Sequence, residues 1–297
     1  MYGEANVVAA DIAPPKQADL RDSGPFEKVD VLDTNVLAEL ASKYKFKHIY
    51  HLAAVLSATG EKNPKFAWKL NMDGLFNVLD LALENKVGRV YWPSSIACFG
   101  PSTPRQNTPQ QTIMDPNTVY GISKQAGERW CEYYFQKYGL DVRSLRYPGL
   151  IGYKALPGGG TTDYAVDIYH KALEGDAFEC FLSEDTYLPM MYMPDALKAT
   201  LDLMHAPAEQ IKVRDSYNLS AMSFSPKEIA ASIRKHIPDF EIVYKPDSRQ
   251  QIADSWPQSI DDSAAQQDWG WTPKYNLDAM TEDMLLNLKK MKQEQAV

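Results

Sequence analysis

Cysteine is scarce in this 297-residue chain: Cys98, Cys131 and Cys180 are scattered and odd in number. That excludes a disulfide-stapled secreted scaffold and points to reduced thiols in a cytoplasmic protein, with core packing as their simplest use. Positive charge is short too. Lys and Arg number 31 against 39 Asp and Glu, a net charge of −8, which argues against nucleic acid or an anionic membrane as principal partner. No apolar run approaches the ~20 residues of a membrane span, and no basic start with an apolar centre marks a signal peptide. The five histidines lack ligand spacing, since His48 and His51 flank one apolar run and the others are isolated. No metal site is expected. Internal repeats and low-complexity segments are also missing.

What is present is an alternation. Apolar runs at Asn6–Ala10, Lys28–Leu32, His48–Ala53, Arg89–Pro93 and Val142–Arg146 read as strands. Helical periodicity over Thr34–Tyr44, Lys65–Asn85 and Tyr120–Tyr138 separates them. Strand–helix alternation implies right-handed crossovers and an α/β fold with a doubly wound parallel sheet. Ligands of such sheets bind beyond the C-terminal strand ends, where Asp11, Asp33, Ala53–Ala54, Ser95 and Tyr147–Pro148 all fall. From about Ile151 the rhythm changes. Helices at Tyr164–Leu173, Pro194–His205 and Pro226–His236, with short strands at Leu188–Met193, Tyr217–Ser220 and Phe240–Tyr244, predict a smaller α+β lobe. Ser225 and Glu228 form a capping box for the last of these helices, and the charged tail from Lys289 is expected to fray. The division is placed at 1–150 and 151–297, with some chain exchange between the two.

One expected part is lacking. A doubly wound nucleotide domain opens with a strand, a Gly-rich turn and a helix, yet no Gly-x-Gly-x-x-Gly or Gly-x-x-Gly-x-x-Gly occurs. The expectation is that this turn lies upstream of residue 1, that Met1-Tyr2-Gly3 ends a first helix with Gly3 as its cap, and that the chain as given binds dinucleotide weakly.

The chemistry is carried by Ser94-Ser95 at a strand end and by Tyr120-x-x-x-Lys124 at a helix start. Residues four apart share a helix face, so Tyr120 and Lys124 point into one cavity. An ammonium there favours the phenolate of a tyrosine whose ordinary pKa is about 10. Adjacent strand residues face opposite ways, which favours Ser95 over Ser94 as the partner. Tyr133 and Lys137 repeat the spacing with nothing before them and read as surface residues.

Together these residues resemble the extended short-chain dehydrogenase/reductase superfamily: Ser95, Tyr120-x-x-x-Lys124, and Tyr147-Pro148-Gly149 after the next strand. The runs His51 to Ala58, Trp92 to Ile96, Pro157 to Ala165, Leu188 to Tyr192, Ala253 to Pro257 and Asp268 to Trp271 are similar to its short-chain L-threonine 3-dehydrogenases. The resemblance implies a Rossmann-like domain, NAD as cofactor, L-threonine as substrate and 2-amino-3-oxobutanoate as product. It implies Tyr120 as base, Lys124 as its activator and ribose contact, and Ser95 as the orienting hydroxyl. For the cofactor it implies Asp11 and Ile12 at the ribose, Leu32 and Asp33 near adenine, Leu52, Ala53 and Ala54 at the dinucleotide, and Tyr147 and Leu150 beside the nicotinamide. For the substrate it implies Ser57, Thr161, Thr162, Asp163, Met190 and Trp256; the plainer alternatives are loop capping for Asp33, helix capping for Asp163 and core packing for Met190 and Trp256. It also implies a homodimer through the Lys65–Asn85 and Tyr120–Tyr138 helices. Two other readings stand beside it: a nucleotide-sugar epimerase or dehydratase, and a shortened relative without catalysis.

Overall fold

The computed structural model describes residues 2–15, 21–158 and 160–295, with only the backbone of Ala58 and Gln295. Met1, named above, and Gly159, within the run from Pro157 to Ala165, lie outside the described residues. Gly3 does not end a helix. It precedes a single 3₁₀ turn, Glu4–Asn6, with φ at 81°, a value suited to glycine. Strand β1 (Ala9–Asp11) follows and pairs in parallel with β2 (Phe26–Lys28). The strand expected at Lys28–Leu32 thus sits earlier. The Asp30 carboxylate accepts the Leu32 N–H at 2.9 Å and the Asp30 carbonyl takes the Asp33 N–H, a local turn that ends the strand.

Helix α1 (Thr34–Tyr44) is capped by Asp33, whose carboxylate accepts from the N–H groups of Asn35 and Val36. Then come β3 (His48–Tyr50), a short α2 (Ser57–Gly60), the long α3 (Pro64–Glu84), β4 (Arg89–Ser95), α4 (Val119–Tyr138) and β5 (Val142–Tyr147). The second half holds β6 (Gly149–Ile151), α5 (Tyr164–Glu174), β7 (Phe178–Cys180), β8 (Leu188–Tyr192) and α6 (Met193–His205). It ends with β9 (Tyr217–Asn218), β10 (Met222–Phe224), α7 (Pro226–Arg234), β11 (Ile242–Tyr244), α8 (Arg249–Asp254), α9 (Ser263–Trp269) and α10 (Leu277–Gln295). The expected capping box is present at Ser225 and Glu228. The tail from Lys289 does not fray where expected but continues α10 as far as Gln295.

Four strands make the main parallel sheet in the order β3-β4-β5-β9. Among the described residues β1 and β2 form a separate two-stranded sheet, so the expected single sheet is in two pieces. Strand β9 brings the second half of the chain into the main sheet. β6 and β10 flank β8 in a third sheet, and β7 pairs with β11. Helices α3 and α4 cover one face of the main sheet through Met72, Leu75, Val78, Leu79, Trp92, Cys131 and Val142. No helix among the described residues is long and apolar enough to cross a membrane.

Two glycines let α4 lie against β4 and the turn after it. A β-carbon on Gly121 would fall 2.1 Å from the Ala97 carbonyl oxygen. The Pro-rich loop before α4 is stapled to the C-terminal half: Arg105 accepts from Gln258 and Ser259, and Thr108 exchanges backbone bonds with Ser259 and Asp261.

Candidate active site

The end of β4 alternates as a strand must. Pro93 and Ser95 face the open side, while Ser94 is buried between them. The Ser94 hydroxyl donates to Glu128 on α4 at 2.5 Å, so it belongs to the interior. The Ser95 hydroxyl accepts the Ala97 N–H at 3.2 Å and stands beside Tyr120. Thr118 caps α4 by accepting from Gly121, which fixes Tyr120 in the first turn. Lys124, one turn on, is buried and donates to the Pro93 carbonyl at 2.5 Å. Its ammonium lies 4.4 Å from the Trp92 ring centroid and 5.4 Å from that of Tyr120. Ser95, Tyr120 and Lys124 therefore share one corner, at the C-terminal end of a central strand. Tyr133, of the repeated spacing, is exposed on the outer face.

The electrostatics correct one expectation. Burial pushes the Tyr120 phenol up to about 12, with Ser95 acting in the opposite direction. The Lys124 ammonium lies over the ring face and donates to the Pro93 carbonyl. Lys124 itself is pushed down to about 8 by burial, against the opposing pull of Cys131, Glu128 and Cys98. His51 was not singled out as a site residue by spacing, and it belongs to this corner. It is buried just past β3, its Nε2 has no partner, and burial together with the Lys124 charge pushes it down to about 3. It is a neutral imidazole here.

On the cofactor side the placements divide. Asp11 ends β1 on the exposed surface, with one oxygen accepting the Ala13 N–H at 3.1 Å. Ile12 and Leu52 are 66% and 64% exposed, and Leu56 61%, an apolar surface at the strand ends where water is readily displaced. Ala53 is exposed and Ala54 half-buried beside it, small enough for close approach. Leu32 is half-buried in the turn before α1. Asp33 is occupied as the α1 cap. The Tyr147 hydroxyl is turned into the interior, accepting from Tyr91 at 2.6 Å and bonding Thr200. Leu150 packs against the same interior cluster. An acid at a strand end, an apolar shelf, small residues and a lysine at the far end fit a dinucleotide.

The glycine loop is closed by its own acid. One Asp163 carboxylate oxygen accepts the N–H groups of Gly158 and Gly160, at 2.6 and 2.8 Å. Asp163 stands before α5 yet its side chain makes no capping bond, so it orders the loop and does not cap the helix. Thr161 is buried with its hydroxyl oxygen unpartnered. Thr162 abuts Gly149, whose added β-carbon would meet Thr162 Cγ2 at 2.7 Å and Met190 Sδ at 2.4 Å. Ser95 pairs in register with Tyr147, so this loop sits beside the strand end that carries the serine. Ser57 opens α2 and is largely buried. Met190 and Trp256 are core residues; β8 lies between two strands, and Trp256 packs under the stapled loop, whose Arg105 donates to its carbonyl. No group of three or more His, Cys, Asp or Glu among the described residues is arranged to hold a metal ion.

A protein from Staphylococcus saprophyticus described as an uncharacterized epimerase/dehydratase is 50% identical over 96% of this chain and 89% of its own length. A GalE-like L-threonine dehydrogenase from Cupriavidus necator, solved in its holo form, is 55% identical with a TM-score of 0.94, over 97% of this chain and 92% of that one. An L-threonine 3-dehydrogenase from a metagenome, described as monomeric and solved in its apo form, is 47% identical with a TM-score of 0.91, over 96% and 91%. Residues 3–220 match the NAD dependent epimerase/dehydratase family. The chain belongs to that family.

Proposed function

We propose that this NAD-dependent enzyme oxidises the β-hydroxyl of L-threonine to 2-amino-3-oxobutanoate. The observation that carries the proposal is the half-buried Tyr120 phenol, set between Ser95 and the Lys124 ammonium at a strand end. The threonine dehydrogenases at 47–55% identity supply the substrate class. Tyr120, as phenolate, takes the proton from the substrate hydroxyl. Ser95 donates to the same oxygen and aims it. Lys124 would balance the phenolate charge and hydrogen-bond the nicotinamide ribose. Bound NAD would supply the acceptor for the hydride of the carbinol carbon. Because burial holds the phenol near 12, proton removal is the step for which this site needs its lysine.

Asp11 would accept both ribose hydroxyls and repel a 2′-phosphate, which selects NAD over NADP. Threonine is a zwitterion, and a buried site must satisfy both of its ends. The unpartnered Thr161 hydroxyl, Thr162 and Ser57 are the polar groups offered, with Asp163 holding the loop that presents the threonines. The dinucleotide part ends near residue 150 and the substrate lobe follows. A nucleotide sugar would need cations for its diphosphate. The cations of the 151–200 stretch are Lys154, Lys171 and Lys198; Lys171 and Lys198 pair with Glu174 and Asp202, and Lys154 is engaged as well. A homodimer would form across α3 and α4, where Phe66, Trp68, Trp130 and Tyr133 are exposed.

The test is NADH formation from NAD+ and L-threonine at saturating cofactor. Tyr120→Phe should reduce it by at least ~10²–10⁴-fold while leaving the circular dichroism unchanged. No threonine-dependent NADH from the parent chain removes the substrate; an undiminished rate in Tyr120→Phe removes the base.

A further inference from the structure

Two successive turns of α4 grip two successive residues of β4. Lys124 Nζ donates to the Pro93 carbonyl, and Glu128 Oε1 accepts from the Ser94 hydroxyl, each at 2.5 Å. Glu128 is fully buried. Its carboxylate is also held by Arg146 of β5, whose Nε and Nη2 donate to its two oxygens at 2.9 and 2.7 Å. Arg146 is tied in turn to Asp215, to the Gln110 carbonyl and to Asn218. The network spans α4, the ends of β4 and β5, the stapled loop and β9. Ser94, Glu128, Arg146, Asp215 and Asn218 are all buried.

We propose that Glu128 is a positioning residue of the active site: it keeps Lys124 in its ammonium form and locks the strand end that aims Ser95. The inference rests on the reading of Lys124 as the activator of Tyr120. Residues four apart on a helix share a face, so the buried carboxylate lies one turn beyond the buried amine and acts on it through its charge. The groups facing Lys124 are Tyr120, Glu128 and Cys131 from its own helix, Cys98 from the turn after β4, and His51 beyond β3. The Trp92 ring and the Pro93 carbonyl complete the enclosure. His51 is neutral and both thiols are pushed up by burial, so Glu128 is the anion that counts. A low-dielectric interior opposes the ammonium, and only a fixed negative neighbour keeps it charged at neutral pH. The Ser94 bond then makes the same carboxylate a clamp on the residue before Ser95.

A purely structural Glu128 would change stability and leave the titration of Lys124 alone. The deciding measurement is therefore the titration midpoint of Lys124 by NMR of isotope-labelled lysine, its resonance identified by loss in Lys124→Met. It needs no substrate, so it is independent of whether threonine is oxidised. Glu128→Gln should lower the midpoint by about one pH unit, and Glu128→Asp should stay closer to the parent than to the Gln variant. Cutting one side of a buried pair can unfold a chain, so the same titration is made on Glu128→Gln combined with Arg146→Met, where the midpoint is expected to move down by less because the opposing Arg146 cation leaves too. A midpoint unmoved in either folded Gln-bearing variant overturns the proposal. Movement without any threonine turnover upholds it and removes the substrate reading instead.

Discussion

Gly127 and Trp92 meet with no room for a β-carbon: one placed on Gly127 would fall 2.4 Å from the indole Cη2. The same indole carries the Lys124 ammonium on its face. Alanine is the better helix former by about 1 kcal/mol, but overpacking of this kind costs ~1–3 kcal/mol, and the second effect should win. Gly127→Ala is therefore expected to lower the free energy of unfolding in urea by roughly 1–2 kcal/mol. A variant as stable as the parent would show that α4 can lift from β4 without cost.

The buried lysine predicts a pH dependence with a definite sign. Folding depresses the Lys124 pKa from 10.5 to about 8. Below pH 8 both states are protonated and the cost of burying the charge is fully present. Between about 8 and 10.5 the unfolded chain binds more protons than the folded one, so stability rises with pH. Lys124→Met lacks this rise. Measured by urea unfolding, the parent should gain on the variant steadily across that window and hold a constant difference below it. Parallel profiles would place the amine in water.

The exposed aromatic strip on α3 and α4 gives the third expectation. Phe76 packs edge-on against Trp130 at 4.9 Å, and Trp130 against Tyr133 at 5.5 Å, while Trp130 and Tyr133 stay 40% and 44% exposed. Aromatic anchors of this kind dominate interfaces. Light scattering should report a dimer, and Trp130→Glu a monomer of unchanged circular dichroism. One solved relative is described as monomeric, so a monomeric parent would assign this strip to solvent.

The helices were legible because each combines a long apolar period with a cap that sequence can show: α1 begins where expected, and α7 begins at its Ser225–Glu228 box. The strands were less so. Three-residue strands hold too little alternation to fix an end, and a single carboxylate at Asp30 moved β2 upstream of its apolar run. Within the site, Ser95, Tyr120 and Lys124 could be read because their spacing is local. Glu128 has the same helical offset from Lys124 that Lys124 has from Tyr120, yet it looks like one more surface acid until β5 delivers Arg146. That Met190 and Trp256 are core residues was not legible for the converse reason: nothing local says that β8 lies between two other strands.

The split sheet has a consequence for how the molecule opens. Among the described residues before Phe46, only Val29 and Ala41 are buried, and β1 and β2 bond to each other alone. Few buried contacts and a short ladder define a unit that opens at a lower free energy than the rest. Asp11, Ile12 and Asp33 all ride on that unit, whereas Tyr120 and Lys124 stand on the better-protected β4–α4 body. Any ligand spanning both would tie the looser part to the firmer one, and its binding energy would be read as slowed amide exchange in the first 45 residues.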